Sequence, residues 1–317
     1  MAELLQYGLA GLALGSIYAL VALGFVVIYR ASKIFNFAHG EFLTFGALMM
    51  ATLHSPPVDA EALAGFGAPA ISGLGIPWGL SLGLAVIATG LLAVLIERVA
   101  LRPLVGRPVF VPIIITLFVG VLLRTCMSLI WGNQPIPIMS PWPPLSGFEF
   151  ASASMRYDYL APIIAGALAV GLFYIVLRYT RLGIAMRATA VDQEASLALG
   201  IPVGKIFAAT WFLAGSIAGL GGVFVGLTDE LGVVPTLGFI AFKAFPAVIV
   251  GGLESPLGAV LAGLLLGILE VLTGAYINPL LGTFGTNFHA VLPYLVMIVF
   301  LVFRPYGLFG TAKVERL

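Results

Sequence analysis

The residues of this chain that could do chemistry stand inside long apolar stretches. The run Phe35–Glu41 places an amide, an imidazole and a carboxylate at the start of an otherwise apolar stretch. A helix that is unwound or broken at such a point can line a cavity within a membrane. Asn36, His39 and Glu41 are therefore candidates for lining the path of a polar solute.

Four charged residues lie within apolar stretches: Glu41, Arg124, Lys243 and Glu270. Each costs about 2.5–3.5 kcal/mol at the centre of a bilayer, so each needs a role. One role is structural, because Glu41 can pair with Arg124 as a lock and because long side chains near helix ends reach water. The other role is functional. Lys243 lies in a second interrupted stretch, Gly238–Pro246. Broken segments in two halves of a chain are typical of a substrate path, so Lys243 is the fourth path candidate.

Other kinds of chemistry lack their motifs in this sequence. It contains no GxxxxGKS or GxxxxGKT loop, so it cannot hold ATP phosphates in that way. The three histidines, His39, His54 and His289, are far apart and lack metal-ligand spacing. Its single cysteine, Cys126, excludes a disulfide within the chain. The sequence predicts no catalytic residues, no metal site and no cofactor of its own, and a membrane enzyme is disfavoured.

The amino-acid composition indicates the environment that surrounds these residues. Of 317 residues, 61% are hydrophobic and 9% are charged, against about 25% charged residues in soluble proteins. The mean hydropathy is +1.11. The net charge of +1 provides no field that would attract nucleic acid. The chain is therefore predicted to be an integral membrane protein in contact with the lipid bilayer.

Apolar runs of about 20 residues, enough to cross about 30 Å of hydrocarbon as a helix, recur along the whole chain. The predicted fold is an all-α, polytopic helix bundle with about nine transmembrane helices, in the range of eight to ten, some of them broken. Residues 1–317 form a single transmembrane domain. The predicted spans are Tyr7–Tyr29, Asn36–Leu53, Pro77–Ile96, Pro108–Trp131, Tyr159–Leu177, Ile206–Thr228, Leu237–Leu253, Ser255–Leu269 and Phe288–Phe303.

The basic residues predict the orientation of the bundle. Twelve of the fifteen fall in alternate loops on one side, Arg156 falls on the other side, and Arg124 and Lys243 lie inside spans. Loops rich in Lys and Arg stay in the cytoplasm. The N-terminus is therefore expected outside and the C-terminus in the cytoplasm, which requires an odd number of crossings.

Small residues four apart and two long outer loops are further features of the pattern. Pairs such as Gly11 with Gly15 and Gly263 with Gly267 favour close helix packing. The outer loops, His54–Ile76 and Gly132–Asp158, are rich in Pro and Gly and predict turns and short interfacial segments. They are either connectors or a docking surface for an external protein.

One inner loop, Arg178–Lys205, contains a short helix with its own start and stop signals. Asp192 is placed to cap the helix Gln193–Leu199, and Gly200 is placed to end it. A two-turn helix is marginal in water and needs a partner surface. It either lies on its own bundle or on lipid headgroups, or it inserts into a cytoplasmic partner.

Several stretches resemble the permease subunits of bacterial branched-chain amino acid ABC importers, specifically the shorter of the two permeases. The FNFAHGE run and the GGLESPLGA run are the most specific parts. The matching stretches, in order along nearly the whole chain, are Gly11–Arg30, Phe35–Glu41, Ile96–Leu104, Arg178–Ile201, Lys243–Glu270 and Phe303–Gly310. The chain departs from the expected pattern at Pro246, at Glu254 and at Val191.

The resemblance implies a multi-pass permease of the bacterial inner membrane that carries branched-chain amino acids or a related small polar or amphipathic solute. It implies three kinds of partner: a second related permease in a heterodimer or homodimer, two cytoplasmic ATPases that bind ATP and Mg, and a periplasmic or lipid-anchored solute-binding protein. Loop 178–205 would be the coupling loop that seats on the ATPase. The coupling residues that it implies are Arg187, Asp192, Glu194, Ala195 and Gly200.

A different class of transport protein remains open at this point. A free-standing secondary transporter or channel would couple transport to protons through His39 and Glu41. It would need no ATPase partner.

Overall fold

The computed structural model describes residues 2–56, 73–104, 107–108, 110–143, 145–150, 153–228, 232–304 and 307–310, and it is mostly helical. We number its α-helices in chain order. They are α1 Ala2–Ser32, α2 His39–His54, α3 Trp78–Ile96, α4 Phe110–Trp131, α5 Tyr157–Tyr179, α6 Arg181–Val191, α7 Gln193–Ala198, α8 Val203–Thr228, α9 Ile240–Lys243, α10 Phe245–Gly251, α11 Pro256–Leu272, α12 Asn278–Leu280 and α13 Phe288–Phe303.

Six helical segments of the described chain are long and apolar enough to cross a membrane, so the chain is a polytopic helical membrane protein. They are Glu3–Ser32, Trp78–Leu104, Phe110–Trp131, Tyr157–Tyr179, Val203–Thr228 and Pro256–Leu280. The other three predicted spans contain shorter helices. Helices α2 and α13 have 16 residues each, and the segment Pro235–Gly251 is interrupted. A count of nine crossings stays a prediction.

The elements that are not α-helical are short. Two π-helical stretches, Glu97–Leu101 and Thr273–Ile277, continue α3 and α11 directly. Three 3₁₀ turns complete the helical elements, and they are Arg102–Leu104, Pro235–Phe239 and Gly282–Gly285.

A β-hairpin lies in the second predicted outer loop, where the composition predicted only turns and interfacial segments. Strands β1 Gly147–Phe150 and β2 Ala153–Arg156 pair antiparallel. This prediction was wrong because it gave weight to the five prolines of the loop, which disfavour strands but all precede β1. The short Phe-Glu-Phe alternation that follows them favours a strand. Most of the first predicted outer loop, His54–Ile76, lies outside the described residues.

Contacts along the chain divide it into two compact units, each built from separate pieces of sequence. The first unit comprises Met1–Val26, Leu145–Val170 and Phe242–Leu317, and the second comprises Val27–Pro144 and Gly171–Ala241. The single transmembrane domain remains a prediction.

In the second unit, α2 is the central helix. Twelve of its 16 residues are buried, on all sides of the helix, which marks it as a core element. Helix α8 packs against it through glycine. A Cβ on Gly46 would overlap the backbone of Gly219, and a Cβ on Gly222 would overlap the backbone of Leu43. The two backbones are therefore in direct contact.

In the first unit, α1 packs against α11 through two of the predicted small-residue pairs. A Cβ on Gly11 would lie 2.7 Å from Ile268 Cα, and a Cβ on Gly263 would lie 2.6 Å from the backbone nitrogen of Ala19. A Cβ on Gly267 would overlap Gly15. The interpretation of these pairs as close helix packing is confirmed.

Candidate functional site at the interrupted helices

The predicted break at the start of the second span is present. Helix α1 ends at Ser32, and the chain is not helical again until α2 begins at His39. Asn36 organises the turn between them. Its Oδ1 accepts from the Ala38 N–H at 3.1 Å, and its carbonyl accepts from the His39 N–H at 3.2 Å. Because Asn36 satisfies these donors, the backbone can leave the helix within the protein.

Helix α2 begins halfway along α4. A Cβ on Gly120 would lie 3.5 Å from Ala38 Cα. Gly120 is ten residues into the 22-residue α4, about 15 Å along its axis. Within the break, the Phe37 N–H donates to Thr116 Oγ1 at 3.2 Å. Near the end of α2, Trp131 Nε1 donates to Thr52 Oγ1 at 2.7 Å. The extended segment therefore runs beside the first half of α4 and α2 beside the second.

The carboxylate at this break is held by a cation. Arg124 Nη2 donates to Glu41 Oε1 in an ion pair, as predicted. The side chain of Glu41 is 3% exposed and that of Arg124 is 27% exposed. The guanidinium also stacks on the exposed ring of Phe239, with Cζ 4.1 Å from the ring centroid. The predicted pairing is confirmed, and its role as a lock stays a prediction. Phe239 is a residue that the sequence did not point out.

Three buried polar atoms of Asn36 and of the Glu41–Arg124 pair make no hydrogen bond among the described residues. They are Asn36 Nδ2, Glu41 Oε2 and Arg124 Nε. Leaving such an atom unsatisfied costs about 1–3 kcal/mol. Two of the three are donors and one is an acceptor.

The two interrupted stretches touch within the second unit. The 3₁₀ turn Pro235–Phe239 overlaps the start of the second stretch, Gly238–Pro246, and packs on the start of α2. A Cβ on Gly40 would collide with the carbonyl of Gly238, and a Cβ on Gly238 would lie 2.8 Å from the Gly40 carbonyl. Only glycine allows the two backbones to approach this closely.

His39 is fully buried in an aromatic setting. Its ring meets Phe42 edge-on with centroids 6.2 Å apart, and Phe42 meets Trp211 in the same way. The structure thus places Asn36, His39 and Glu41 in the second unit, where the ring of His39 meets Phe42 and the carboxylate of Glu41 meets Arg124.

Lys243, the fourth predicted residue, belongs to the first unit and is paired with Glu270. Its Nζ lies 3.6 Å from Glu270 Oε1. The hydroxyl of Tyr18 donates to the other carboxylate oxygen at 2.7 Å, and Tyr18 is buried. All four charges predicted inside apolar stretches therefore stand in two ion pairs. Tyr18 was missed, and its signal is a polar hydroxyl deep inside the apolar run of α1, away from the helix ends where tyrosine is common.

The short helix of loop 178–205 has the predicted start and stop. The Ala195 N–H donates to Asp192 Oδ1 at 2.9 Å, which caps α7. Gly200 has φ +80°, and the Ile201 N–H donates back to the Ser196 carbonyl at 3.0 Å. This is a glycine-terminated helix end, and it confirms both signals.

The apolar face of α7 and its neighbours points away from the protein. Val191 is 89% exposed and Leu199 is 80% exposed, while Ser196 is the buried residue of the helix. Arg187 is exposed and donates to the Leu177 carbonyl. The protein's own helices therefore do not cover this apolar face, and lipid headgroups or a partner protein remain as its possible contacts. Glu194 and Ala195 are exposed on the same short helix.

Membrane transport proteins commonly contain interrupted helices that place polar groups near the middle of the membrane. This chain is a transport protein of that class. The sequence model of the family described as "Branched-chain amino acid transport system / permease component" matches residues 7–301. The chain belongs to this family.

Individual relatives are similar over nearly their full lengths. The high-affinity branched-chain amino acid transport system permease protein LivH of Escherichia coli (strain K12) is 31% identical, covering 98% of this chain and 97% of LivH. The corresponding protein BraD of Pseudomonas aeruginosa is 32% identical with the same coverage. A solved structure titled "PsaBC from Streptococcus pneumoniae in complex with Fab" aligns with a TM-score of 0.46 and 12% identity, over 95% of this chain and 92% of that one.

Proposed function

We propose that this chain is the permease subunit of an ATP-driven importer in a bacterial inner membrane. Its solute is a branched-chain amino acid or a related small polar or amphipathic molecule. The observation that carries the proposal is the match to a permease family over residues 7–301. Two cytoplasmic ATPases would bind ATP and Mg, a second related permease would pair with this one, and a periplasmic or lipid-anchored protein would deliver the solute.

Co-purification and uptake test this assignment. The chain is isolated from its native membrane with its stable partners, and radiolabelled leucine uptake is measured in vesicles with and without ATP inside. We expect ATPase subunits to co-purify and uptake to require ATP. Uptake by the chain alone, driven by a pH gradient, would instead establish the free-standing transporter that uses His39 and Glu41.

The path of the solute would pass the polar cluster at the start of α2. Arg124 Nε and Asn36 Nδ2 offer donors for a carboxylate, and Glu41 Oε2 offers an acceptor for an ammonium group. The exposed ring of Phe239 offers apolar surface for an aliphatic side chain. Lys243, half-buried in the first unit, stays a further path candidate.

Asn36 provides the sharpest test of this path, because its side-chain oxygen accepts the Ala38 N–H whereas its side-chain nitrogen is the donor offered to the solute. Asn36→Asp keeps the oxygen that caps the turn at Ala38 and removes the free amide donor, whereas Asn36→Ala removes both. We expect Asn36→Asp to assemble with its partners and to raise the KM for leucine uptake. A KM equal to that of the wild-type protein in an assembled Asn36→Asp complex would place the amide outside the path.

Coupling to the ATPases would use α7. Closure of the ATPases would push this exposed helix and convert the bundle between outward and inward access. The pair of changes Glu194→Arg and Gly200→Trp alters the charge of α7 and strains its end, where φ is +80°. We expect ATP-dependent uptake to fall while the control Arg98→Glu, a charge reversal at an exposed position outside loop 178–205, leaves it unchanged. Full uptake and full ATPase coupling in the double variant would refute the role of α7.

The proposed topology has nine crossings with the N-terminus outside and the C-terminus in the cytoplasm. The basic residues of alternate loops support it. Single cysteines placed in the hairpin and in α6, in a Cys126→Ser background, would be labelled by an impermeant maleimide. We expect the hairpin cysteine to react from the outside of intact cells and the α6 cysteine to react only after lysis. The reverse pattern would invert the orientation.

A further inference from the structure

The segment after α3 has no part in the proposed path or in the proposed coupling loop. Helix α3 continues past Ile96 as the π-helical stretch Glu97–Leu101 and ends in the 3₁₀ turn Arg102–Leu104. π-helical stretches are rare, and they are frequent at functional sites. This one brings a buried carboxylate and a guanidinium together.

Glu97 and Arg102 are joined through both backbone and side chains. The Arg102 N–H donates to the Glu97 carbonyl, which is the i to i+5 bond of a π-helix. The guanidinium donates from Nε to Oε1 at 3.1 Å and from Nη2 to Oε2 at 2.9 Å. In an α-helix, residues five apart point about 140° away from each other. The π-helical turn is therefore what allows this bidentate pair to form.

A third bond connects the pair to the inner loop. Arg102 Nη2 also donates to the carbonyl of Gly204 at 2.7 Å, in the first turn of α8 and six residues beyond α7. A cation is disfavoured at the N-terminus of a helix. The carboxylate of Glu97 neutralises this positive charge. Its side chain is 3% exposed, so it also holds the guanidinium of Arg102, which is 35% exposed, in a fixed position.

We propose that Glu97 and Arg102 form a latch through which a displacement of α7 reaches α3. The latch rests on the proposed coupling of loop 178–205 to partner ATPases. Arg102 is a positioning residue in it, because it acts by tying the start of α8 to the end of α3. Val203 and Phe207 at the start of α8 also form an apolar cluster with Ala31, and apolar packing has no directional bond to transmit movement.

Close packing carries such a displacement further along the two helices. A Cβ on Gly215 of α8 would lie 2.5 Å from Ala93 Cβ of α3, and a Cβ on Gly90 of α3 would lie 2.8 Å from the Phe212 ring of α8. Helices packed this closely move together, because neither backbone can slide without a collision. The latch extends this rigid pair to the point where the inner loop enters α8.

The experiment measures leucine taken up per ATP hydrolysed by the complete importer in vesicles. The main variant is E97Q/R102Q, which removes both charges and keeps a polar side chain at each position. Removing only the cation would leave a buried carboxylate unpaired and reduce assembly. We expect E97Q/R102Q to assemble and hydrolyse ATP while uptake per ATP falls at least about fivefold, the lower end of ordinary allosteric coupling. The matched control is R98Q, an exposed charge in the same π-helical stretch, with an unchanged ratio.

A second variant, R102K, keeps the charge beside Glu97 but replaces the two-nitrogen fork by one nitrogen. We expect its ratio to lie between those of the wild-type protein and E97Q/R102Q. A purely structural role would lower the amount of assembled importer and leave the ratio unchanged. Wild-type ratios in both variants would overturn the latch alone. Absence of ATP-dependent uptake by the wild-type importer would overturn the proposed function and the latch with it.

Discussion

Removal of the cation from the Glu41–Arg124 pair is expected to destabilise the protein more than removal of the anion. Glu41 is 3% exposed, so R124M would leave a buried carboxylate without its cation, at a cost of about 3–5 kcal/mol. In E41Q, the arginine keeps 27% exposure and its position over Phe239. The loss is then that of one charged hydrogen bond, about 1.5–3 kcal/mol.

Equilibrium unfolding in detergent, followed by the fluorescence of the four tryptophans, measures these free energies. The double variant E41Q/R124M carries no buried charge at the site. Its cost is expected to be smaller than that of R124M alone, because a neutral replacement of a buried pair is often tolerated. R98M, which removes an exposed arginine by the same substitution, should change the free energy of unfolding by less than about 0.5 kcal/mol.

Two results would refute this reasoning. Equal costs for R124M and E41Q would show that burial does not set the asymmetry. Costs that add within about 0.5 kcal/mol in the double variant would show that the two side chains do not interact. Uptake by the double variant then separates the two roles of the pair. If the pair is only a lock, the double variant should regain uptake as it regains stability relative to R124M. If the two side chains contact the solute, uptake should stay impaired in the double variant.

Three further predictions concern local contacts. Gly40→Ala is expected to lower the yield of folded protein, because its Cβ would collide with a backbone carbonyl. Gly83→Ala, where the Cβ would meet open space, should stabilise its helix by up to about 1 kcal/mol. The folded yield and the unfolding midpoint of each variant measure these effects. Tyr18→Phe removes the 2.7 Å bond to Glu270 and should cost about 1.5–3 kcal/mol in the same unfolding assay, and an unchanged midpoint contradicts this. Asp192→Ala removes the cap of α7, worth about 0.5–2 kcal/mol, and should speed amide exchange over residues 193–198, whereas Asp192→Asn should not.

Long apolar runs predicted the helices well because length and hydropathy decide whether a segment can cross a bilayer. The third span was predicted as Pro77–Ile96, and α3 is Trp78–Ile96. The π-helical stretch that follows could not be predicted in this way. Its i to i+5 bonds have no hydrophobic period, and the bond from Arg102 to Gly204 joins residues 102 positions apart.

The candidate site was predictable where a residue contrasted with its surroundings. Asn36, Glu41 and Lys243 are polar within apolar runs, and the pairing of Glu41 with Arg124 followed from opposite charges. Phe239 has no such contrast, because an aromatic residue in an apolar segment resembles any other. Its place over the Arg124 guanidinium is a tertiary contact that only the fold reveals.

The two ion pairs also explain why a chain with so few charges places four of them inside its apolar segments. Each pair is neutral as a whole, so neither interrupted segment carries a net charge into the bilayer. A free amino acid has the same property, with one positive and one negative group and no net charge. A site with an excess of one sign would bind one end of such a solute strongly and slow its release. On the proposed path, a neutral pair such as Glu41 with Arg124 would offer a partner for each end of such a solute, and no excess of one sign would retain either end in the site.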